Sequence, residues 1–258
     1  MKTPTEHQNG IVAILDALGA ASYSDVEVGH FLQSRSNVLE LLNQKIEGVL
    51  GINSERVTRF TFNDTILVIL KCGTDESQLK DISSFFTILR KFLVDSMQYR
   101  ILFRGSISIG SFYVNEETNT VMGQAVTDAA AWYDKANWIG VHATPHATIM
   151  IQRWLEHDNA RKSNLMLDYD VPLRDVQTVH VKAVNWPKVF FVSSISPCRN
   201  GEEPREKLLE FLAMHQVPRG TESKYYNTIK FFDHAVKEIK KQKRRTSGSS
   251  VLPGTGRQ

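Results

Sequence analysis

The chain has 258 residues, of which 41% are hydrophobic, 23% charged and 9% aromatic. That is enough to bury a sizeable core, and it excludes a wholly disordered, collagenous or low-complexity protein. Two cysteines, Cys72 and Cys198, are too few for a disulfide framework, and no apolar run reaches the length of a membrane span. The net charge of +3 is uneven, because residues 240–258 hold six of the 31 basic residues and no acid. The rest of the chain is therefore net acidic. The polar start MKTPTEHQNG has no apolar core and does not read as a signal peptide, so the expectation is a cytoplasmic protein without membrane contact.

Residues 1–9 read as a flexible N-terminus. GIVAILDALG (10–19) then reads as a buried strand, a continuous apolar run that stops at a carboxylate and a glycine. From 24 to 50, Phe31, Val38, Leu42, Ile46 and Val49 recur at helical steps, and Gly51 ends the helix. RVTRFTF (56–62) and TILVILKC (65–72) form a β-hairpin around Asn63-Asp64. A second amphipathic helix covers 76–98, with Leu79, Ile82, Phe86, Leu89, Leu93 and Met97 on one face.

YRILFRGSISIGSFYV (99–114) is a long strand, and a polar turn leads into a short strand before Gly123. GQAVTDAAAWYDKAN (123–137) is an Ala-rich helix, WIGVHATP a strand or turn, and HATIMIQRWLEHD (146–158) a further helix. QTVHVKAV and KVFFVSS read as strands flanking Asn185-Trp186-Pro187. Residues 196–239 read as a helical appendage to a 10–195 core, and 240–258 as a disordered basic tail. The order strand, helix, strand, strand, helix, strand predicts an α+β, ferredoxin-like split βαβ domain. Its central sheet is mostly antiparallel, with helices on one face. The other face then needs a cover, for which a second copy of the chain is the candidate.

Asp16 ends the first strand, and Asp64 sits in the turn before the third. In this topology the first and third strands are neighbours, so the two carboxylates meet at one end of the sheet. Taken singly, Asp16 is a helix cap and Asp64 a turn residue. Together they form a hard oxygen site suited to Mg²⁺ or Mn²⁺. Gly19 permits close approach of a ligand, and the N–H groups of Leu18, Gly19 and Ala20 are candidates for holding phosphate. The eight histidines show no metal-binding spacing. A nucleic-acid partner for the basic tail is the weaker expectation.

The motifs Ile-Leu-Asp-Ala-Leu-Gly (14–19), Phe-Asn-Asp-Thr (62–65), Phe-Arg-Gly-Ser-Ile-Ser-Ile-Gly (103–110) and Gly-Gln-Ala-Val-Thr-Asp-Ala-Ala (123–130) resemble, in this order, a class III nucleotide cyclase. More narrowly, they resemble the bacterial pyrimidine cyclases of the Pycsar antiphage defence systems. The resemblance implies two metal ions, Mn²⁺ or Mg²⁺, held by Asp16, Asp64 and the Ala17 carbonyl. It also implies a homodimer with its active sites at the interface and a cyclic product that acts on a separate effector protein. Purine cyclases place a lysine four residues before the second metal aspartate, where this chain has Phe60. Phe60 and Arg104 are then the expected readers of a pyrimidine, UTP or else CTP. Lys182, with Lys188 behind it, is the candidate triphosphate-binding lysine. The transition-state Asn and Arg of adenylate cyclases are replaced by Thr127 and Ala131, so a nucleotide-binding module without chemistry is the alternative.

Overall fold

The computed structural model describes residues 6–20, 23–49, 54–73, 76–157, 164–190, 204–215 and 219–248. Cys198 lies outside them. The elements are β1 (Glu6–Ala17), α1 (Asp25–Val49), β2 (Val57–Phe62), β3 (Thr65–Lys71), α2 (Glu76–Gln98), β4 (Phe103–Asn115), β5 (Thr120–Met122), α3 (Gln124–Trp132), β6 (Gly140–Ala143), α4 (Pro145–His157), β7 (Met166–Pro172), β8 (Thr178–Val184), α5 (Trp186–Phe190), α6 (Pro204–Ala213) and α7 (Glu222–Gly248). They build one sheet in the order β2-β3-β1-β4-β6-β8-β7, with β5 paired to β4. All pairings are antiparallel except β4 with β6. The stretch β2-β3-β1-β4 has the strand order of the split βαβ plan, as expected.

β1 is central and buried on both faces, which is why its sequence is a continuous apolar run rather than an alternating one. Ile11, Ala13, Leu15 and Ala17 face a large core with α1, α2, α5, α6 and α7. Val12 and Ile14 face a smaller cluster with Ile69, Phe112 and the Ala125 and Ala129 methyls of α3. Part of the second face is thus covered from within the chain: the alanines of α3 let that helix lie close on β4. Beyond it, Phe62 stays 84% exposed on β2.

Three expectations are corrected. β1 begins at Glu6 and pairs with β4 from Val114 onward, so residues 6–9 are strand and not a flexible end. Residues 188–190 of KVFFVSS belong to α5, because Pro187 fits the first helical turn and the Asn185 side chain accepts the Lys188 N–H at 3.4 Å, an N-cap. α7 continues to Gly248, so 240–248 are helical. Within the expected appendage of 196–239, α6 and α7 pack on the core. Phe231 and Phe232 are fully buried, with Phe231 edge-on to Trp138 at 4.7 Å and Phe232 5.9 Å from Trp186.

His142 of β6 is fully buried between Trp132 and Trp138. Burial pushes its imidazole down to about 4, whereas an unfolded histidine titrates near 6.5. Between those values the unfolded chain binds a proton that the folded chain refuses. This contribution to stability is complete above about pH 6.5 and is lost as pH falls toward 4, by about 3 kcal/mol in all. The urea midpoint is expected to fall with acidification across that window, and less steeply in His142→Leu.

Candidate functional site

The sheet registers align a row of residues across four strands and into a fifth. Phe62 pairs with Thr65, Thr65 with Asp16, Asp16 with Arg104, and Arg104 with Gly140. Two residues away runs a parallel row, Phe60, Leu67, Ile14, Ser106 and His142. Both lie on the face that α3 partly covers, at the end where β1 finishes and β4 begins.

Asp64 follows Asn63, whose φ of 53° is a left-handed turn conformation that asparagine tolerates. The Asp64 carbonyl accepts the Ala17 N–H at 3.1 Å, tying the hairpin turn to the end of β1. Arg35 of α1 reaches the Asn63 carbonyl from the other side. Partial burial, and then the Asp16 carboxylate, push the Asp64 carboxyl above its usual range, with Arg104 and Arg35 opposing. The two acids are therefore electrostatic neighbours, as the topology predicted.

Arg104 takes a different part from the one expected. Its Nε and Nη2 both lie on Oδ2 of Asp16, at 2.8 and 2.7 Å, and its Nη1 donates to the Asp134 carbonyl at 3.0 Å. The pair is nearly dry, with side chains 9% and 13% exposed. Arg104 is held as an internal counter-ion rather than offered to a base, because a buried carboxylate demands compensation. Arg104→Ala is expected to destabilise the chain by about 3 kcal/mol, measured by urea unfolding, since it leaves that carboxylate uncompensated.

Lys182 is not brought to the acids within one chain. β8 is three strands from β1, roughly 14 Å across the sheet, and the Lys182 ammonium is bound by Asp168 at 2.8 Å. Lys188 sits on α5 beside Arg90. The Leu18 N–H is also committed, donating to the Leu102 carbonyl at 2.8 Å, so it does not serve a phosphate. Gly19 takes φ 89°, which only glycine adopts without strain, and with Leu18 it lines a cavity of about 290 Å³. Ala20 follows it, its carbonyl accepting the Tyr23 N–H at 3.2 Å. Phe60 packs partly buried against the second-face cluster, on the same side of the sheet as Asp16.

In α3, Asp128 is engaged by Ser108 at 2.6 Å and Thr144 at 2.5 Å, which fixes the helix to the sheet. Lys135 lies over the Trp132 ring at 4.7 Å. Three residues near the acids escaped the sequence reading: Arg35, Tyr23 and Lys224. Burial raises the Tyr23 phenol, with Glu27 and Asp64 adding to it, while burial lowers the Lys224 ammonium in a field that includes Arg104, Arg174 and Asp16. Both feel the acid pair across long stretches of sequence, and no local motif marks them.

Two carboxylates are a sufficient protein donor set for Mg²⁺ or Mn²⁺, which usually complete their shells with water and substrate phosphates. The repulsion that Asp16 exerts on Asp64 fits a divalent cation between the two acids. Among the described residues no group of three or more His, Cys, Asp or Glu side chains forms a metal cluster. No described helix is long and apolar enough to cross a membrane.

No family model matches the chain, and no curated protein matches it. Among solved structures it is similar to the adenylyl cyclase CyaB from P. aeruginosa, at 13% identity and TM-score 0.45 over 70% of this chain and 96% of that one. It is also similar to the guanylyl cyclase Cya2, at 15% identity and TM-score 0.34 over 70% and 94%. A class III adenylyl cyclase-like ATP-binding protein from Pseudomonas aeruginosa matches at 11% identity and TM-score 0.42, over 56% of this chain and 35% of that one. Likeness at this level describes a shared arrangement of strands and helices and carries no functional argument.

Proposed function

We propose that the chain is a metal-dependent nucleotide cyclase acting on a pyrimidine nucleoside triphosphate, converting UTP to 3′,5′-cyclic UMP and pyrophosphate, with CTP as the alternative substrate. The observation that carries this reading is the meeting of Asp16 and Asp64 at one end of the sheet, beside the Gly19 turn. Asp16 is also held by Arg104, but the repulsion between the two carboxylates is one that a divalent cation would relieve. When bound, Mg²⁺ or Mn²⁺ supplies Lewis-acid polarisation of the phosphates and acidifies the ribose hydroxyl.

The protein's own part is positional. Arg104 fixes the Asp16 rotamer, and Asn63 with Arg35 fixes the turn that presents Asp64. The ribose 3′-hydroxyl gives up its proton to water as its oxygen attacks the α-phosphorus in line, the bond from that phosphorus to the α–β bridging oxygen breaks, and pyrophosphate leaves. Phe60 supports a pyrimidine, because it offers no hydrogen bond to a purine edge and fills space on the face that would hold the base. Since Arg104 is committed to Asp16, base choice rests on Phe60. The reading includes a homodimer formed through the face that carries exposed Phe62, and an effector for the cyclic product in antiphage defence.

The test is an equimolar mixture of ATP, GTP, CTP and UTP with Mn²⁺ and the purified chain, the products separated by mass. Cyclic UMP or cyclic CMP in excess supports the proposal. Cyclic AMP or cyclic GMP in excess sinks the pyrimidine assignment, and no cyclic product sinks the catalytic one.

A further inference from the structure

Helix α2 ends in a Schellman motif. The Arg100 N–H donates to the Met97 carbonyl at 2.9 Å and the Ile101 N–H to the Ser96 carbonyl at 3.0 Å. Arg100 thus holds the left-handed position just past the helix, with φ of 59°. Glycine is the usual residue there, because a side chain crowds the following carbonyl in that conformation. Both hydrogen bonds of the motif come from backbone groups, so glycine would make them equally well. An arginine kept against its own backbone preference points to a use for its side chain.

Arg100 stands on the walls of two adjoining cavities. One, of about 290 Å³, lies behind the Gly19 turn and is walled also by Leu18, Tyr23, Leu102 and Tyr225. The other, of about 210 Å³, runs along α1, and Tyr23, Glu27 and Arg100 are common to both. Leu18, Tyr23, Leu102 and Tyr225 pack with the large core, whereas Phe60 packs with the cluster on the second face of the sheet. The cavity is therefore on the opposite side of the sheet from the rows that carry Asp16 and Phe60.

Among the described residues the Arg100 guanidinium forms no ion pair. Glu27, the acid on these walls, is engaged at the entrance of its own helix, its carboxylate accepting the Ser24 N–H and O–H at 2.7 Å each. The phenol rings of Tyr23 and Tyr225, with Leu18 and Leu102, suit a flat apolar body. A guanidinium without a partner suits a negative charge on the edge of that body.

We infer that the cavity behind the Gly19 turn is a binding site for a small aromatic anion, a planar ring bearing a carboxylate, sulfonate or phosphate whose charge Arg100 takes. The site goes beyond the cyclase reading and does not depend on it. A ligand there rests against the turn that directly follows Asp16 and Ala17, from the core side of the sheet.

The experiment titrates the full chain with anilinonaphthalene sulfonate, read by its fluorescence, in the absence of metal and nucleotide. Arg100→Gly is expected to weaken binding of the probe about tenfold or more. Without the probe, the same variant is expected to raise the thermal midpoint by about 2–4 °C, because glycine relieves the left-handed strain. Phe62→Ala, on the other face, stays within about twofold of the wild type, and saturating UTP with Mn²⁺ leaves the probe bound. The inference is overturned if the wild type does not bind the probe, if Arg100→Gly binds it within about twofold, or if the midpoint falls in that variant. Displacement of the probe by UTP, or its loss in Phe62→Ala, also overturns it, since either places the probe on the face of the acid pair. None of these outcomes decides the cyclase reading, which stands or falls on cyclic product.

Discussion

Asp16→Asn is expected to reduce cyclic-product formation by about a thousandfold or more while leaving the folded chain intact. Removing one of two carboxylates from a divalent-cation site forfeits several kcal/mol of transition-state charge stabilisation, and each 1.4 kcal/mol is a factor of ten. Asparagine is the informative replacement because it keeps the shape of the side chain and an oxygen for the Arg104 guanidinium, which alanine would strand in a dry setting. Asp64→Asn is expected to cost as much activity. Its effect on stability runs the other way: the Asp64 carboxyl is held above its usual range by burial and by Asp16. Neutralising it relieves repulsion and leaves the thermal midpoint unchanged or slightly higher. Loss of activity with the fold retained, in both variants, is the pattern of a shared cation site. A loss confined to one of them would leave the other acid a turn residue.

The second large effect concerns the core. Phe231 of α7 is fully buried, 4.7 Å from Trp138 and 4.9 Å from Tyr169 in edge-to-face contact. Phe231→Ala removes most of an aromatic side chain from a packed cluster and is expected to cost about 3–5 kcal/mol. Against the ~5–15 kcal/mol stability of an ordinary domain, that is a large share. The urea midpoint measures it. Phe62→Ala on the exposed second face makes the internal comparison, because a side chain 84% exposed has little burial to lose. A Phe231→Ala cost below about 1 kcal/mol would mean that α7 docks without supporting the core.

The half of the chain that the sequence described best is the half whose signals are local. β1 was legible because a central strand buried on both faces reads as an unbroken apolar run. α1 and α2 were legible from their helical spacing, and Asp16 with Asp64 followed from placing the first strand beside the third. The second half resisted for physical reasons. Val189 and Phe190 have strand propensity, but Asn185 and Pro187 start a helix in front of them, and the cap wins over the residues it precedes. β7, with its Asp168 and Asp170, is too polar to stand out as a strand until Lys182 and His180 are seen to pair with those acids across β8. The docking of α7 was not legible, because its apolar residues Phe231, Phe232 and Ala235 show helical spacing whether or not anything packs on them.

The site shows the same division. Asp16 and Asp64 could be paired from topology alone, whereas the partner of a charged side chain depends on which atoms the fold leaves near it. Arg104 had the residue type to read a base, yet it stands opposite Asp16 in register and is spent there. Lys182 stands opposite Asp168 in the same way. Lys224 had no motif around it, and its position follows from hydrogen bonds between Asn137, Ser223 and Asn227, which no spacing rule anticipates.

In the proposed reaction the acid pair serves to join a ribose 3′-oxygen to its own α-phosphate. The most direct measurement is the molar ratio of cyclic nucleotide to pyrophosphate from UTP or CTP with Mn²⁺, in wild-type chain and in Asp16→Asn. A ratio of about one is expected in the wild type, fixed by the in-line displacement, and neither product in the variant. Pyrophosphate accompanied by linear monophosphate, or cyclic product that persists in Asp16→Asn, would contradict it.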